Sequence, residues 1–113
     1  MACNQPTQQT PQQVLRNVEL FEWTDSITPQ KITELIEHFA SLKNEIDVIQ
    51  DFEYGTDVSV EWLCKKNIQC FIVTFDSEKG RDTYLSHPEH KIFGDSVTPW
   101  FKNVLVVDYI IQN

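Results

Sequence analysis

Two spacings of apolar residues organise this chain from Val14 onward. Val14 to Trp23 carries strand-forming residues with polar ones between them and stops at the turn-forming Thr24-Asp25-Ser26, which predicts a first strand. Ile32, Leu35, Ile36, Phe39, Leu42 and Ile46 then recur at helical spacing, leaving Lys31, Glu34, Glu37 and Lys43 outward. Thr28 as N-cap and Pro29 at the first helical position mark where that helix begins. Val48 to Asp57 reads as a second strand broken by Gly55, Ile68 to Phe75 as a third, and the β-branched run Val104 to Ile111 as the last. Ser77 to Ser86 is a short second helix, weakened by Gly80 and stopped by His87-Pro88, with a further helical turn or two from Pro88 to Phe93. The order β-α-β-β-α-β predicts an α+β, ferredoxin-like domain over residues 14–113, a four-stranded antiparallel sheet with its helices on one face.

Side chains alternate faces along a strand, so each strand offers two sets. One is Val18, Leu20, Ile68, Cys70, Ile72, Leu105, Val107 and Tyr109, almost entirely apolar; the other is Asn17, Glu19, Phe21, Gln69, Phe71, Val73, Val104, Val106 and Asp108, apolar with polar insertions. Two helices cover only one face of such a sheet, and the other would leave an apolar patch larger than a lone soluble chain exposes. A second copy closing on that face by two-fold symmetry is the simplest cover, so the first set predicts a homodimer interface.

Composition narrows the function. The net charge of −8 and only nine Lys and Arg argue against nucleic acid, whose phosphates would repel the chain. No apolar run approaches membrane-spanning length. Cys3, Cys64 and Cys70 form no CxxC motif, which suits free thiols in a reducing, cytoplasmic setting. Met1 to Gln13, with five Gln, two Thr and two Pro, predicts a flexible tail. The alternative is that Ala2-Cys3 and its polar tether begin a mature lipoprotein, lipid-anchored in the periplasm or at the surface through Cys3. No phosphate-cradling glycine loop or nucleophile elbow occurs, and nothing calls for a cofactor.

The densest chemistry lies in Thr83-Tyr84-Leu85-Ser86-His87-Pro88-Glu89-His90, a phenol and two imidazoles around a proline, followed by Lys91-Ile92-Phe93. With Leu20-Phe21-Glu22-Trp23, Tyr54-Gly55-Thr56-Asp57-Val58 and Phe71-Ile72-Val73-Thr74-Phe75, this block resembles the dimeric "stress-responsive A/B barrel" (Dabb) family over about Val14 to Tyr109. The resemblance implies two ferredoxin-like protomers packed sheet to sheet into an α/β barrel. A plant member closes a polyketide ring by aldol chemistry in a pocket between helices and sheet, other members are stress-induced oligomers, and most have no established reaction. Carried over by position, the cyclase's catalytic histidine and pocket tyrosine correspond to His90 and Tyr84. Two further family histidines are replaced by Asn17 and Gln69, and an apolar pocket position is Glu19. The remaining lining would be Phe21, Leu35, Phe39, Phe71, His87, Phe93, Val104 and Val106.

A tyrosine hydroxyl can orient a carbonyl while a neutral imidazole removes a proton, which makes Tyr84 and His90 the candidate catalytic pair. Each also has a plain structural role open to it: His87 as a cap whose ring bonds a carbonyl at the end of the second helix, Tyr84 and His90 as a buried hydrogen bond. His87 and His90 fall short of the three or four ligands a zinc site needs, and nothing brings His38 to them, so no metal site is assigned. Glu19 is expected to titrate high if buried and, beside His90, to raise the histidine's pKa. Three readings follow: a homodimer binding a small, largely apolar ligand; a cyclase- or lyase-type enzyme acting on a small carbonyl compound; and a structural stress protein without a ligand.

Overall fold

The computed structural model describes residues 13–60 and 67–112. The expected tail, apart from Gln13, and the readings placed on Cys3 and Cys64 lie outside those residues. The elements run β1 (Leu15–Trp23), α1 (Pro29–Glu45), β2 (Asp51–Thr56), β3 (Ile68–Phe75), α2 (Glu78–Ser86), α3 (Pro88–Val97), a 3₁₀ turn (Thr98–Trp100) and β4 (Phe101–Ile110). The sheet order is β2-β3-β1-β4, and every neighbouring pair is antiparallel. The first strand of the chain is therefore central, and β2 and β4 are the edges.

Local chemistry sets these limits. The Thr28 hydroxyl accepts from the Lys31 N–H at 3.1 Å, satisfying one orphan donor of α1, while Pro29 has none to lose. Leu35, Phe39 and Leu42 are the buried stripe of that helix. Ser77 caps α2 by accepting from the Gly80 N–H at 2.9 Å, and Gly80 is buried there with Asp76 and Ser77 close by. His87 closes α2 and opens α3 with no residue between them.

Four boundaries depart from the periodicity. After α1 the chain turns through Ile49, whose N–H bonds the Ile46 carbonyl, so β2 begins at Asp51 rather than Val48. Gly55 does not break β2; it pairs with Cys70 in register. Once started at Pro88, α3 runs on to Val97, burying Phe93 and Val97. β4 begins at Phe101, not Val104, because Phe101 pairs with Trp23 across an irregularity in the ladder at Glu22/Trp23. The polar pair Lys102-Asn103 disguised that pairing as loop.

The two-face parity holds in register: Val18 lies opposite Ile72 and Val107, and Leu20 opposite Cys70 and Leu105. The first set thus shares one face, free of helices. On the other face the core is built on aromatic rings. Phe39 packs on Phe71 at 4.7 Å between centroids and on Phe93 at 4.5 Å, and Phe21 on Phe71 at 4.8 Å. Each buried ring contributes about 2–3 kcal/mol, and together they fill the space between α1, α3 and the sheet. The helices stop short of β4, leaving Val104 46 % and Val106 52 % exposed on the helix side, as well as Leu105, Val107 and Tyr109 on the opposite side. Val104 and Val106 therefore do not stand under the helices as their parity suggested; the helix bodies do not cover this part of the edge strand.

Candidate functional site

Along the helix-facing side of β1 stand Asn17, Glu19, Phe21 and Trp23, opposite Val73, Phe71 and Gln69 of β3. The aromatic contacts of Phe21, Phe39, Phe71 and Phe93 fall in the middle of this row and divide it. The single pocket suggested by the sequence is therefore split. Asn17 and Glu19 belong to one end with Tyr84 and His90, while Gln69 belongs to the other, where its Nε2 donates to Thr56 Oγ1 at 3.0 Å. Phe21, Leu35, Phe39, Phe71 and Phe93 are packed against one another or buried as the partition.

At the first end, α2 delivers Tyr84 and α3 delivers His90. Because the two helices share His87, the chain folds back within a turn and lays the His90 ring on Tyr84, 4.5 Å between centroids. Tyr84 is fully buried and also packs on Phe75 at 5.0 Å. Its hydroxyl is closed to water and has no hydrogen-bond partner among the described residues, and the same is true of Asn17 Oδ1. The other atom of that amide, Nδ2, donates to Asp108 Oδ1 at 2.6 Å, and Arg81 Nη1 donates to Asp108 Oδ2 at 2.9 Å. Arg81 is tied in addition to Asp82 at 2.8 Å and Glu78 at 3.6 Å. A surface depression of about 250 Å³ lined by Leu15, Arg81 and Asp108 comes up to this ion pair from outside.

Electrostatics set the protonation states. Burial, and then the nearby Asp108, push the Glu19 carboxyl up to about 7. Tyr84 is raised far above its ordinary value by burial, then by Glu19 and Asp108, so it remains a hydrogen-bond donor. Burial lowers the His90 pKa, opposed by its bond to the Leu85 carbonyl and assisted by Lys91. The expected elevation of His90 by Glu19 is thus not found: Glu19 acts on Tyr84, and His90 answers to burial, Leu85 and Lys91. One ring nitrogen of a neutral His90 is committed to Leu85, leaving the other as an acceptor.

His87 serves differently from the expected carbonyl cap. Its Nδ1 accepts from the Glu89 N–H at 3.0 Å, capping the start of α3 rather than the end of α2. His38 lies edge-on to Phe93 at 5.1 Å, away from both imidazoles in role. The sequence reading missed Arg81. Its signal was spacing: it sits three residues before Tyr84 on the same helical face, and Asp108 interrupts an otherwise apolar strand on the parity of Asn17.

A four-stranded ferredoxin-like sheet, with a buried tyrosine and a half-buried histidine packed together where two helices abut, defines the class. The family model for the stress responsive A/B barrel domain matches residues 15–111, and the chain belongs to that family. It is 36 % identical over 95 residues to the stress-response A/B barrel domain-containing protein HS1 of Arabidopsis thaliana, covering 84 % of this chain and 87 % of that protein. It is 26 % identical over 95 residues to olivetolic acid cyclase of Cannabis sativa, covering 84 % and 94 %. Among solved structures, a dimeric ferredoxin-like protein of unknown function from Thermobifida fusca superposes with a TM-score of 0.76 at 21 % identity, covering 88 % of this chain and 92 % of that one.

Proposed function

We propose that the protein works as a homodimer, meeting its copy through the face of Val18, Leu20, Ile68, Cys70, Ile72, Leu105, Val107 and Tyr109, and that each protomer binds a small, largely apolar carbonyl compound beside Tyr84 and His90. The assembly is supported by the uncovered apolar face and by the dimeric solved relative. The ligand reading is carried by one observation: the Tyr84 hydroxyl is buried with no partner among the described residues. The large majority of buried side-chain polar groups find one, and leaving such a group unpaired costs about 1–3 kcal/mol. A carbonyl oxygen accepting from Tyr84, with its apolar body against the aromatic partition, supplies the missing partner. The test is titration with short aliphatic aldehydes and ketones while following the His90 ring by NMR. Saturable shifts at His90 that vanish in Tyr84→Phe support the reading; an unmoved His90 up to several millimolar ligand refutes it.

A second reading rests on the lowered pKa of His90. A neutral imidazole with a free nitrogen can take a proton from the carbon next to a carbonyl, while Tyr84 hydrogen-bonds the oxygen on which negative charge develops. The enolate so formed could then attack a second carbonyl within the same molecule. The likeness to a cyclase supports this reading. Loss of deuterium exchange at the ligand's α-carbon in His90→Gln, with binding retained, is its expected signature.

A further inference from the structure

Beyond the aromatic partition lies a cavity of about 450 Å³ at the far end of the helix–sheet layer, walled by Trp23, Ile27, Ile32, Thr56, Ile68 and Gln69. Its size falls within the range of small-molecule sites. The corner that frames it is pinned: the Trp23 N–H bonds the Asn67 carbonyl at 3.3 Å, and the Thr24 N–H bonds the Trp100 carbonyl at 2.9 Å. Asn67 adopts the left-handed conformation (φ 60°) that asparagine tolerates, which turns the chain into β3 at this corner. In the wall stand two polar side chains that are almost wholly buried, Trp23 (2 % exposed) and Gln69 (6 % exposed). The Gln69 amide is oriented by its bond to Thr56. Among the described residues the Trp23 indole N–H has no acceptor.

We infer that this cavity is a second small-molecule site, taking a short, neutral, largely aliphatic molecule whose carbonyl or hydroxyl oxygen accepts from the Trp23 indole N–H. A buried indole usually finds a partner, and the donor can give a hydrogen but cannot take one, so the group that would complete it is an acceptor. Ile27, Ile32 and Ile68 offer an aliphatic wall for the rest of the molecule. Asp25 in the lining is paired with Lys102 at 3.8 Å, and it is the chain's net charge of −8 that disfavours an anion. The indole nitrogen is closed to water, so occupation requires a small movement of the wall, in which Ile27 and Ile32 are only partly buried. This site does not depend on the Tyr84–His90 site: packed rings lie between them, and each has its own reporter.

The experiment is a titration of the ¹⁵N-labelled full chain with 2-hexanone, and with hexanoate as the anionic control, read at the Trp23 indole cross-peak assigned by Trp23→Phe. The inference expects a saturable shift of that cross-peak with 2-hexanone at least tenfold stronger than with hexanoate. It expects loss of the shift in Ile32→Trp, which fills the cavity, with the His90 signals of that variant unchanged from wild type. Ile27→Trp, nearer the loop, gives the same reading should Ile32→Trp fail to fold. An indole peak that does not move, that moves equally in the filled variants, or that reports only a bound water by its exchange with solvent overturns the assignment.

Discussion

Glu19 gives the sharpest test of the electrostatics. Its carboxyl titrates at about 7 in the folded chain against 4.5 ordinarily. Between those values the folded state holds a proton the unfolded state has released, so stability falls as pH rises through this window, and the penalty is complete above it. At roughly 1.36 kcal/mol per pH unit the gap amounts to about 3 kcal/mol. Glu19→Gln keeps the shape and removes the ionisation. Urea unfolding at one fixed protein concentration, from pH 5 to pH 9, should show the variant gaining about 2.5 kcal/mol over wild type between pH 5 and pH 8, on the order of 10 °C in melting temperature. His90 works in the opposite sense, because its lowered pKa makes stability fall as pH drops below the ordinary histidine value. That contribution is common to both proteins and cancels in the difference. Curves that stay parallel within about 0.5 kcal/mol across the range would mean that Glu19 is solvated in the folded state, and the burial argument would fail.

Three further outcomes are expected. Ile72→Lys puts a charge at the centre of the open face, opposite Val18, and should turn a dimer into monomers in sedimentation across tens of micromolar; an unchanged dimer would place the interface elsewhere. Tyr84→Phe removes an unpartnered buried hydroxyl and should stabilise the chain by about 1 kcal/mol in denaturant unfolding, whereas destabilisation would reveal a hidden partner. His87→Ala deletes the cap of α3 and should cost about 1 kcal/mol, while His87→Asn, which can accept the same N–H, should restore most of it.

Strand parity in the sequence was enough to specify the sheet. β1 and β3 keep strict alternation, and a one-residue slip would have exchanged Leu20 and Phe21 between faces, so their register was legible. The start of β4 was not, because the irregularity at Glu22/Trp23 spends a residue that alternation does not count. The pairing of Tyr84 with His90 was implied by the family resemblance, while the proline between them marked only where the helix must break. The division of the pocket could not be anticipated, since it depends on Phe21, Phe39, Phe71 and Phe93 meeting from four different elements, and ring-to-ring packing leaves no trace in spacing. His90's pKa was misjudged for a related reason: the sequence puts Glu19 and His90 on facing layers but does not reveal that Tyr84 takes up the interaction with Glu19.

The central place of β1 also shapes how the chain reaches its fold. β1 is made early, yet both of its neighbours come later, and its outer ladder joins Leu15 to Ile110 and, across 91 residues of chain in this second pair, Asn17 to Asp108. Contacts that distant carry a loop-closure cost before they return any stability, which slows folding. Until the last strand emerges, β1 presents a row of unpaired backbone groups beside Val18 and Leu20, the kind of edge on which nascent chains aggregate. Arg16 and Glu22 bracket Val18 and Leu20 on the same face, charges of the kind that oppose such edge-to-edge pairing. A chain stopped before Phe101 would therefore lose more than an edge: its first strand would become one.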